Sequence, residues 1–568
     1  MSTKTIAVLN EAELKDGEMK SVTFEGEGKV LLSRLGNDIH ATSAFCTHYG
    51  APLEKGVLTA DGRVVCPWHG ACFNVCTGDI EDAPAPSALH SFKAHVENGQ
   101  IFVTANADDT LKSNMSRPPK LLATGTPSTE PGVVIVGGGS GAFHCIESLR
   151  EHGYNGAITV LSKEVYAPID RTKLSKALVT DASKLEWRSA AELQNKYHVD
   201  LRTGKEVTSI DVVGNAVIVG TSGERVPYKS LVLATGGTPR TLPVEGKNLG
   251  NVFTMRGVKD AKNIDEGDLD DYGQSVKEGK RLVVIGSSFI SMELVAAVTS
   301  RKLASIDVIG MEGAPFELVL GSEVGKALQK FHESKGVKFH MKSSVSKLVP
   351  SGSSSSQVGA VVVKGPDGQE ETLPADVVVM GVGVAPATEY LRNSAVFDNL
   401  IDKTGAISVD EFLQVKGVPG DVFAIGDIAM YPQPGTGELR RIEHWNVAGN
   451  HGRAVGKTIA EGKGQPFVKV PVFWSARSAE GQQLRYCGVG AGFDDTIVDG
   501  NLDELKFVVY YVKKGKVVAV ASMQRDPVVS KASELLRLGL MPSPEELKSG
   551  KDLLSVDIAS VASKPKVA

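Results

Sequence analysis

The sequence predicts a multidomain protein: an all-β N-terminal domain, an α/β core built from two similar units, and a small α+β domain at the C-terminus. Three observations lead to this fold class. The chain has 568 residues, too many for a single hydrophobic core. Four of its six cysteines fall between Cys46 and Cys76. A strand, glycine turn, helix and strand pattern occurs twice, about 150 residues apart.

Composition and charge exclude several classes of protein. The net charge is −5, with 23% charged residues, which gives no electrostatic reason to expect nucleic acid or an anionic membrane as a partner. The longest apolar stretch, Leu282 to Val298, is interrupted by polar residues, so no membrane span is predicted. Met1 to Asn10 has neither a signal-peptide nor a transit-peptide pattern. We predict a cytoplasmic protein, monomer or homodimer, and leave a mitochondrial association open.

The N-terminal domain is predicted at residues 1–106. Its apolar runs are short and separated by turns, as at Lys29–Leu35, Arg63–Cys66 and Gln100–Thr104, which favours strands over helices. Residues 107–130 are rich in Pro, Ser, Thr and Gly and are predicted to be a flexible linker. A domain on such a linker could swing between two positions.

Two mixed pairs of ligands stand out in this domain: Cys46 with His48, and Cys66 with His69. Two loops that each carry one Cys and one His match a Rieske [2Fe–2S] centre, in which two Cys bind one iron and two His bind the other. A Cys₂His₂ zinc site is the competing interpretation, although zinc fingers usually separate Cys pairs from His pairs. Four unrelated residues are the simplest alternative.

The run from Cys66 to Phe73 resembles Rieske ferredoxin domains. High-potential members of that family carry hydroxyl groups where this chain has Ala71 and Phe73. With fewer hydrogen bonds to the cluster, we expect a potential toward the low end of the Rieske range, on the order of −150 mV. The remaining cysteines, Cys72 and Cys76, are interpreted as small buried fillers.

The first unit of the α/β core carries a dinucleotide fingerprint. The strand Val133–Val136 leads into Gly137, Gly139 and Ala142, which allow a tight turn, close approach to a pyrophosphate and helix packing. Glu164 follows the next strand, Ile158–Leu161, at the distance expected for an acid that accepts from a ribose hydroxyl.

The second unit has a degraded fingerprint. The strand Leu282–Ile285 is followed by Gly286, then by Ser288 and Ser291 at the other two small positions. The strand Ile306–Ile309 ends at Gly310, with Glu312 two residues further on. Nucleotide binding is the favoured interpretation, a vestigial unit kept for packing is the alternative, and the pattern gives no firm preference for NADH or NADPH.

Residues 131–470 resemble the two-dinucleotide flavoprotein reductases, on the strength of these turns, Leu233–Gly237 and Val422–Asp427. The resemblance implies an FAD-binding domain at 131–254 and 377–468, an NAD(P)H-binding domain at 255–376 and a C-terminal domain at 469–568. It implies cofactor contacts at residues from both units, namely Gly137, Gly139, Ala142, Glu164, Arg171, Lys176, Val207, Thr235, Gly236, Gly286, Ser288, Glu312, Gly383, Asp427 and Trp445.

The segment from Ala167 to Lys176 contains no cysteine and resembles ferredoxin-reductase-type and apoptosis-inducing-factor-type flavoproteins. The resemblance implies that Lys176 pairs with Glu293 near the flavin, and that Trp474 lies beside the flavin and nicotinamide. A solvated Lys176 and ordinary core tryptophans are the alternatives. Catalytic roles are therefore predicted for Lys176, Glu293 and Trp474.

The C-terminal domain is predicted from the strands Phe507–Tyr511 and Val517–Ser522 and a helix near Lys531–Leu540, with residues 560–568 frayed. The order of domains resembles that of Rieske-containing apoptosis-inducing-factor-like proteins. The resemblance implies an NAD(P)H-dependent oxidoreductase with FAD and a [2Fe–2S] cluster, passing single electrons to an unknown small molecule or redox protein. The alternative is a redox-gated signalling protein with little turnover.

Overall fold

The computed structural model of the chain describes residues 3–125, 130–267, 275–476 and 482–558. Linker residues 126–129 and the tail predicted to fray, 560–568, lie outside these ranges. Within them, no helix is long and apolar enough to cross a membrane.

The N-terminal domain contains only strands and short 3₁₀ turns. Alternating burial, as in Gln100–Asn106, places one face of each long strand against the core. The strands are β1 (Thr3–Asn10), β2 (Met19–Thr23), β3 (Lys29–Leu35), β4 (Asp38–Ser43), β5 (Val57–Leu58), β6 (Arg63–Val65), β7 (Cys72–Asn74), β8 (Ile80–Asp82), β9 (Ala88–Leu89), β10 (Ser91–Glu97), β11 (Gln100–Asn106) and β12 (Ser116–Arg117). They form a six-stranded sheet, β1-β11-β10-β4-β3-β2, a four-stranded sheet, β5-β6-β7-β8, and the pair β12-β9.

The linker lies along the domains that it joins. Its strand β12 pairs with β9, and the backbone amides of Leu122 and Ala123 donate to the carbonyl of Arg150 in the next domain. Residues 107–125 are thus fixed to both neighbours by hydrogen bonds.

The first unit of the core is a five-stranded parallel sheet flanked by helices. Its members up to residue 239 are β13 (Val133–Val136), α1 (Ser140–Glu151), β14 (Ile158–Leu161), α2 (Thr172–Ala177), α3 (Ala190–Tyr197), β15 (Val199–Arg202), β16 (Val207–Asp211), β17 (Ala216–Val219), β18 (Glu224–Pro227), β19 (Ser230–Leu233) and β20 (Gly237–Pro239). Fully buried apolar runs such as Val133–Val136 form the centre of this sheet, as parallel strands covered on both faces require.

The second unit has its own parallel sheet, in the order β21-β28-β22-β23-β24. Its elements are β21 (Val252–Phe253), α4 (Val258–Glu266), β22 (Arg281–Ile285), α5 (Phe289–Val298), β23 (Ser305–Ile309), α6 (Glu317–Leu320), α7 (Ser322–Glu333), β24 (Lys338–His340), β25 (Ser344–Ser351), β26 (Ser354–Lys364), β27 (Glu370–Pro374) and β28 (Val377–Met380). Because β28 pairs with both β21 and β22, residues 252–253 and 377–380 belong to this sheet, although the predicted boundaries assigned them to the first unit.

The chain then returns to the first unit. This stretch contains β29 (Val384–Pro386), α8 (Ala395–Asp398), β30 (Ile407–Ser408), β31 (Asp421–Ala424), β32 (Ala429–Pro432), β33 (Leu439–Arg440) and α9 (Trp445–Glu461). Strand β31 completes the first sheet, in the order β15-β14-β13-β19-β31. Helix α9 packs closely on α1, and a Cβ at Gly452 would come within 2.2 Å of the Gly141 carbonyl oxygen.

The C-terminal domain is an antiparallel sheet with two helices, which confirms the predicted α+β class. Its elements are β34 (Val472–Ala476), β35 (Gln483–Gly488), β36 (Asp495–Asn501), β37 (Lys506–Lys513), β38 (Lys516–Met523), α10 (Val528–Leu538) and α11 (Pro544–Lys548). Its core is continuous with that of the N-terminal domain, since Val57 and Val65 are buried in the same cluster as Val472 and Val520. The N-terminal domain is therefore packed on the rest of the chain through apolar surface.

Candidate redox site

A cleft of about 1160 Å³ opens between the glycine turns of the two core units. Most of the residues predicted to contact cofactors or to be catalytic line it, namely Gly137, Gly139, Glu164, Arg171, Lys176, Val207, Thr235, Gly236, Ser288, Glu293, Gly383, Asp427, Trp445 and Trp474. Ala142, Gly286 and Glu312 lie outside its lining, beneath or beside the turns. A single cleft of this size between two nucleotide turns has room for two nucleotides placed end to end.

The first turn has the geometry that a dinucleotide requires. Gly137 has φ +116°, and a Cβ there would lie 2.2 Å from the carbonyl oxygen of Ala234. Gly139 caps the N-terminus of α1, whose free backbone amides face the cleft, and Ala142 is fully buried in the helix. The turn therefore presents amides and a helix dipole to a phosphate.

The second turn repeats this geometry despite its serines. Gly286 has φ +103°, and a Cβ there would lie 2.3 Å from the Gly381 carbonyl oxygen. Ser288 has φ −99°, an ordinary backbone conformation for a residue with a side chain, and it occupies the helix-capping place that Gly139 occupies in the first turn. The serine substitution therefore leaves the turn intact.

The two predicted acids lie near their turns. Glu164 accepts from the Arg171 guanidinium at 2.6 Å. Burial opposes ionisation of Glu164, but Arg171 and a hydrogen bond from Tyr166 outweigh burial, so the pKa of Glu164 lies below its usual value. In the second unit, Glu312 accepts from the Ser287 hydroxyl at 3.4 Å. Both carboxylates therefore lie close to the turns that would hold a nucleotide.

Lys176 and Glu293 form an ion pair on the wall of the cleft. Their Nζ and Oε2 atoms are 2.9 Å apart, Glu293 is 4% exposed, and the Lys176 side chain is 18% exposed. Two serines also donate to Glu293: Ser175, at 2.5 Å, and Ser475 from the C-terminal domain. A lysine held in this way is not a solvated surface residue, and its charge is fixed at one place in the cleft.

Two tryptophans line the cleft with their polar atoms turned inward. The indole Nε1 atoms of Trp445 and Trp474 are buried and have no hydrogen-bond partner among the described residues. Buried indole nitrogens usually find a partner. Because both nitrogens are closed off from the cleft, other atoms of the two side chains form its wall, where a flat ring can stack on a flat cofactor.

The four Rieske ligands lie in two loops of matching shape. The Cys46 amide donates to the Ala51 carbonyl and the Cys66 amide to the Ala71 carbonyl, both at 2.8 Å. Gly50 and Gly70 have φ +74° and +72°, which turns each loop back on itself. The loop after β4 and the loop between β6 and β7 thus present one Cys and one His each.

The ligand atoms converge as an iron–sulfur cluster requires. The Nδ1 atoms of His48 and His69 are 3.0 Å apart, and the Cys46 and Cys66 thiols are in hydrogen-bonding contact. Burial lowers the pKa of His48 to about 4 and that of His69 well below its usual value, so both imidazoles are neutral near pH 7 and able to bind metal. The residues fit a two-iron cluster.

The remaining cysteines near the site differ from the prediction in one respect. Cys72 is fully buried, but Cys76 is exposed and lies 3.5 Å from the His40 Nε2 atom. Cys76 lies in a surface turn, two residues after the end of β7. The interpretation of Cys76 as a buried filler is therefore wrong.

The Rieske ligands and the cleft meet at Trp474. Its ring packs on His69 with centroids 4.3 Å apart, while the residue also lines the cleft. A second series of aromatic contacts leads from His48 to Trp187, with ring centroids 6.2 Å apart, and from Trp187 to Trp445, with ring centroids 5.7 Å apart. Both metal-binding histidines therefore contact rings that lead to the cleft.

Hydrogen bonds between domains hold the Rieske loops in this position. They join the N-terminal domain to α9, α10, the loop after α2 and strand β35, through Asn446 to the His69 carbonyl, Arg453 to the Ile80 carbonyl, Ser530 to the Cys66 carbonyl, Arg188 to the Pro86 carbonyl and Arg485 to the Trp68 carbonyl. The histidines are 9% and 1% exposed as a result.

Sequence reasoning missed several residues of this site. Tyr49, Trp187 and Ser475 were not singled out, although each touches a predicted ligand or catalytic residue. The partners of Trp187 and Ser475 lie far away along the chain, and the local signals were that Tyr49 follows His48 and that Ser475 follows Trp474.

Comparison with protein families agrees with this architecture. Residues 131–452 match the pyridine nucleotide-disulphide oxidoreductase family, residues 4–93 match the Rieske [2Fe–2S] domain, and residues 472–555 match the reductase C-terminal domain. The first match covers more than half of the chain, so the chain belongs to the pyridine nucleotide-disulphide oxidoreductase family. It is a flavoprotein oxidoreductase for FAD, NAD(P)H and a [2Fe–2S] cluster, which confirms the predicted cofactors and overturns the zinc interpretation.

Similar proteins fall into two groups. Human apoptosis-inducing factor 3 is 38% identical over 539 residues, 94% of this chain and 84% of that protein. Rhodocoxin reductase of Rhodococcus erythropolis is 30% identical over 418 residues, 73% of this chain and 91% of that protein. Among solved structures, the putidaredoxin reductase–putidaredoxin complex has a TM-score of 0.66 at 27% identity, covering 74% of this chain and 96% of that one.

Proposed function

We propose that the protein is an NAD(P)H-dependent reductase in which electrons pass inside one chain, from the flavin in the cleft to the Rieske cluster, and then to a one-electron acceptor. The observation that carries this proposal is the position of Trp474, which lines the cleft and packs on the metal-binding His69 at 4.3 Å.

The cofactors supply a hydride donor, a carrier that accepts two electrons and releases them singly, and a one-electron carrier. The chain supplies their positions. The turns at Gly137 and Gly286 hold phosphates at two helix N-termini, one for each nucleotide. Lys176, fixed by Glu293, places a positive charge beside the site where reduction adds negative charge.

The closed position of the Rieske domain supports the internal route. Its histidines are buried against the core and C-terminal domains, and the linker is bonded to both sides of the junction. The first electron transfer therefore needs no swing of the Rieske domain. Such a motion, predicted from the linker composition, would serve only the later transfer to the acceptor.

A one-electron redox protein is the acceptor that we propose. Relatives of the core are named as reductases of rhodocoxin, rubredoxin and ferredoxin. Disulfide reduction is not supported, because no cysteine is among the described residues that line the cleft. Cys145, which follows the first glycine turn in the sequence, is fully buried in α1.

A signalling role is the second candidate, and the 38% identity to apoptosis-inducing factor 3 favours it. In that case NAD(P)H would reduce the same cofactors once, without steady-state turnover of the protein. Steady-state oxidation of NADH and NADPH with cytochrome c, a quinone and oxygen separates the two, since a signalling protein would show negligible turnover with every acceptor.

The internal route is tested by anaerobic titration of the purified holoprotein with NADH, following flavin and cluster absorbance together. We expect both to bleach, the flavin no later than the cluster. A flavin that bleaches fully while the cluster stays oxidised, although dithionite reduces it, would refute the route.

A further inference from the structure

A buried acid from the FAD-binding domain lies beside the loop that carries His48. Asp170 is 0% exposed, and its Oδ2 atom accepts from the Tyr49 hydroxyl at 2.5 Å. The Tyr49 ring stacks on His48 with centroids 3.9 Å apart and an interplanar angle of 15°. One hydrogen bond and one ring stack therefore connect a carboxylate of the core to a metal-binding histidine.

The environment of Asp170 suits an anion. Its Oδ1 atom accepts from the Thr172 hydroxyl at 2.6 Å and from the Thr172 amide at 3.2 Å, so the hydrogen bonds of the carboxylate in the described structure are ones that it accepts. The cation beside it is Lys173, at 3.8 Å, whose side chain is 37% exposed. Solvent screens that lysine more than the fully buried carboxylate, which leaves a net negative charge facing the cluster.

Two charged groups near the ligand loops are paired with their own partners. Arg485, which donates to the Trp68 carbonyl, lies 3.2 Å from Asp526, and Lys176 is paired with Glu293. Asp170 is fully buried at this junction, and its ion-pair partner in the described structure, Lys173, reaches solvent.

We propose that the Asp170 carboxylate lowers the reduction potential of the Rieske cluster docked against it, with Tyr49 as the contact that brings the carboxylate to His48. A negative charge in a low-dielectric site disfavours the addition of an electron. Asp170 acts here as a positioning and tuning residue supplied by another domain. The inference rests on the proposed function in one respect, namely that a lower cluster potential serves to match the cluster to the flavin that reduces it.

The test is a mediated potentiometric titration of the holoprotein, following the cluster by EPR. Asp170→Asn keeps the size of the side chain and removes its charge. We expect the ratio of reduced to oxidised cluster at a fixed potential to rise roughly tenfold, a positive shift of about 59 mV for a one-electron couple. An unchanged or more negative potential would overturn the proposal.

Two further variants separate charge from contact. Tyr49→Phe keeps the stacked ring and the buried carboxylate, so its cluster potential should stay closer to that of the wild type than to that of Asp170→Asn. An equal positive shift in both variants would contradict an effect of the Asp170 charge. Asp211→Asn removes an acid paired with Arg225 elsewhere in the same domain and should leave the potential unchanged.

The variant Lys173→Met is expected to shift the cluster potential in the opposite direction. Removing the partly exposed cation beside Asp170 should shift the potential in the negative direction, and an unchanged or positive shift would refute the proposal. This variant decides the question if Asp170→Asn does not retain flavin and iron. Because mediators reduce the cluster directly, the measurement stands even if NADH fails to reduce the cluster, so the two proposals fail separately.

Discussion

The indole of Trp474 packs on the imidazole of His69, with ring centroids 4.3 Å apart and planes inclined by 39°. Trp474 belongs to the C-terminal domain and His69 to the N-terminal domain, 405 residues apart by their numbers. Because Trp474 also lines the cofactor cleft, this contact joins the two redox sites.

Replacing Trp474 should slow the step between these sites. In Trp474→Leu we expect the cluster to be reduced at least about tenfold more slowly, since loss of a positioning contact between reacting groups has large effects on rate. Anaerobic stopped-flow with NADH measures the flavin and cluster phases separately. Trp187→Leu, which cuts the longer contact through Trp445, should slow the cluster phase less; a larger effect there would contradict the proposed route.

Lys176 should matter for the arrival of the hydride. In Lys176→Met we expect flavin reduction by NADH to slow by about 10²-fold, the usual cost of removing one group that stabilises developing charge. Lys163→Met is the matched control, because Lys163 lines the same cleft but is 75% exposed and pairs with Glu206. Equal loss in both variants would contradict a specific role for Lys176.

The Rieske ligands can be separated from the flavin. Cys66→Ser should abolish bound iron and sulfide while NADH still reduces ferricyanide through the flavin, since the cleft lies outside the ligand loop. Cys76→Ser changes the exposed cysteine of the same domain and should keep the cluster. Iron analysis, EPR and ferricyanide turnover check this, and a Cys66→Ser protein that keeps its [2Fe–2S] EPR signal would show the ligand assignment to be wrong.

The carboxylate of Glu312 should set the preference for nucleotide. It lies beside the second turn, bonded to Ser287, and would repel a 2′-phosphate. We expect kcat/KM for NADH to exceed that for NADPH by at least about tenfold, or ~1.4 kcal/mol, and Glu312→Gln to narrow the ratio. Glu389→Gln removes an acid that lines the cleft and is 86% exposed, and it should leave the ratio unchanged.

Buried Glu147 should make stability depend on pH. Burial raises its pKa to about 7 from the usual 4.5, despite Arg188 at 3.3 Å. Between pH 4.5 and about 7, the folded state keeps a proton on Glu147 that the unfolded state has lost. The contribution of Glu147 to the free energy of unfolding is therefore fully present below pH 4.5 and is lost as the pH rises through 7, by about 3 kcal/mol. Thermal unfolding from pH 5 to 8 should be flatter in Glu147→Gln than in wild type. Glu192→Gln, which removes the other ion-pair partner of Arg188 in the described structure, should keep the wild-type slope.

The secondary-structure elements and the local ligand sets could be predicted from patterns along the chain. The strands Val133–Val136 and Ile158–Leu161 were predicted with the bounds that the structure shows, because each is a short apolar run limited by turn residues. The four Rieske ligands could be predicted since each pair lies within four residues, a spacing that one loop can enforce. These features depend on interactions close in the chain, and a linear pattern carries them.

How these parts meet became clear from the three-dimensional structure. The contacts of Tyr49 with Asp170, of Trp187 with His48 and of Ser475 with Glu293 join residues more than 100 positions apart, and no local spacing encodes them. The same holds for β21 and β28, whose apolar runs would suit either sheet until pairing assigned them. Side chains acquire such partners through burial between domains, and burial is a property of the packed molecule rather than of any segment.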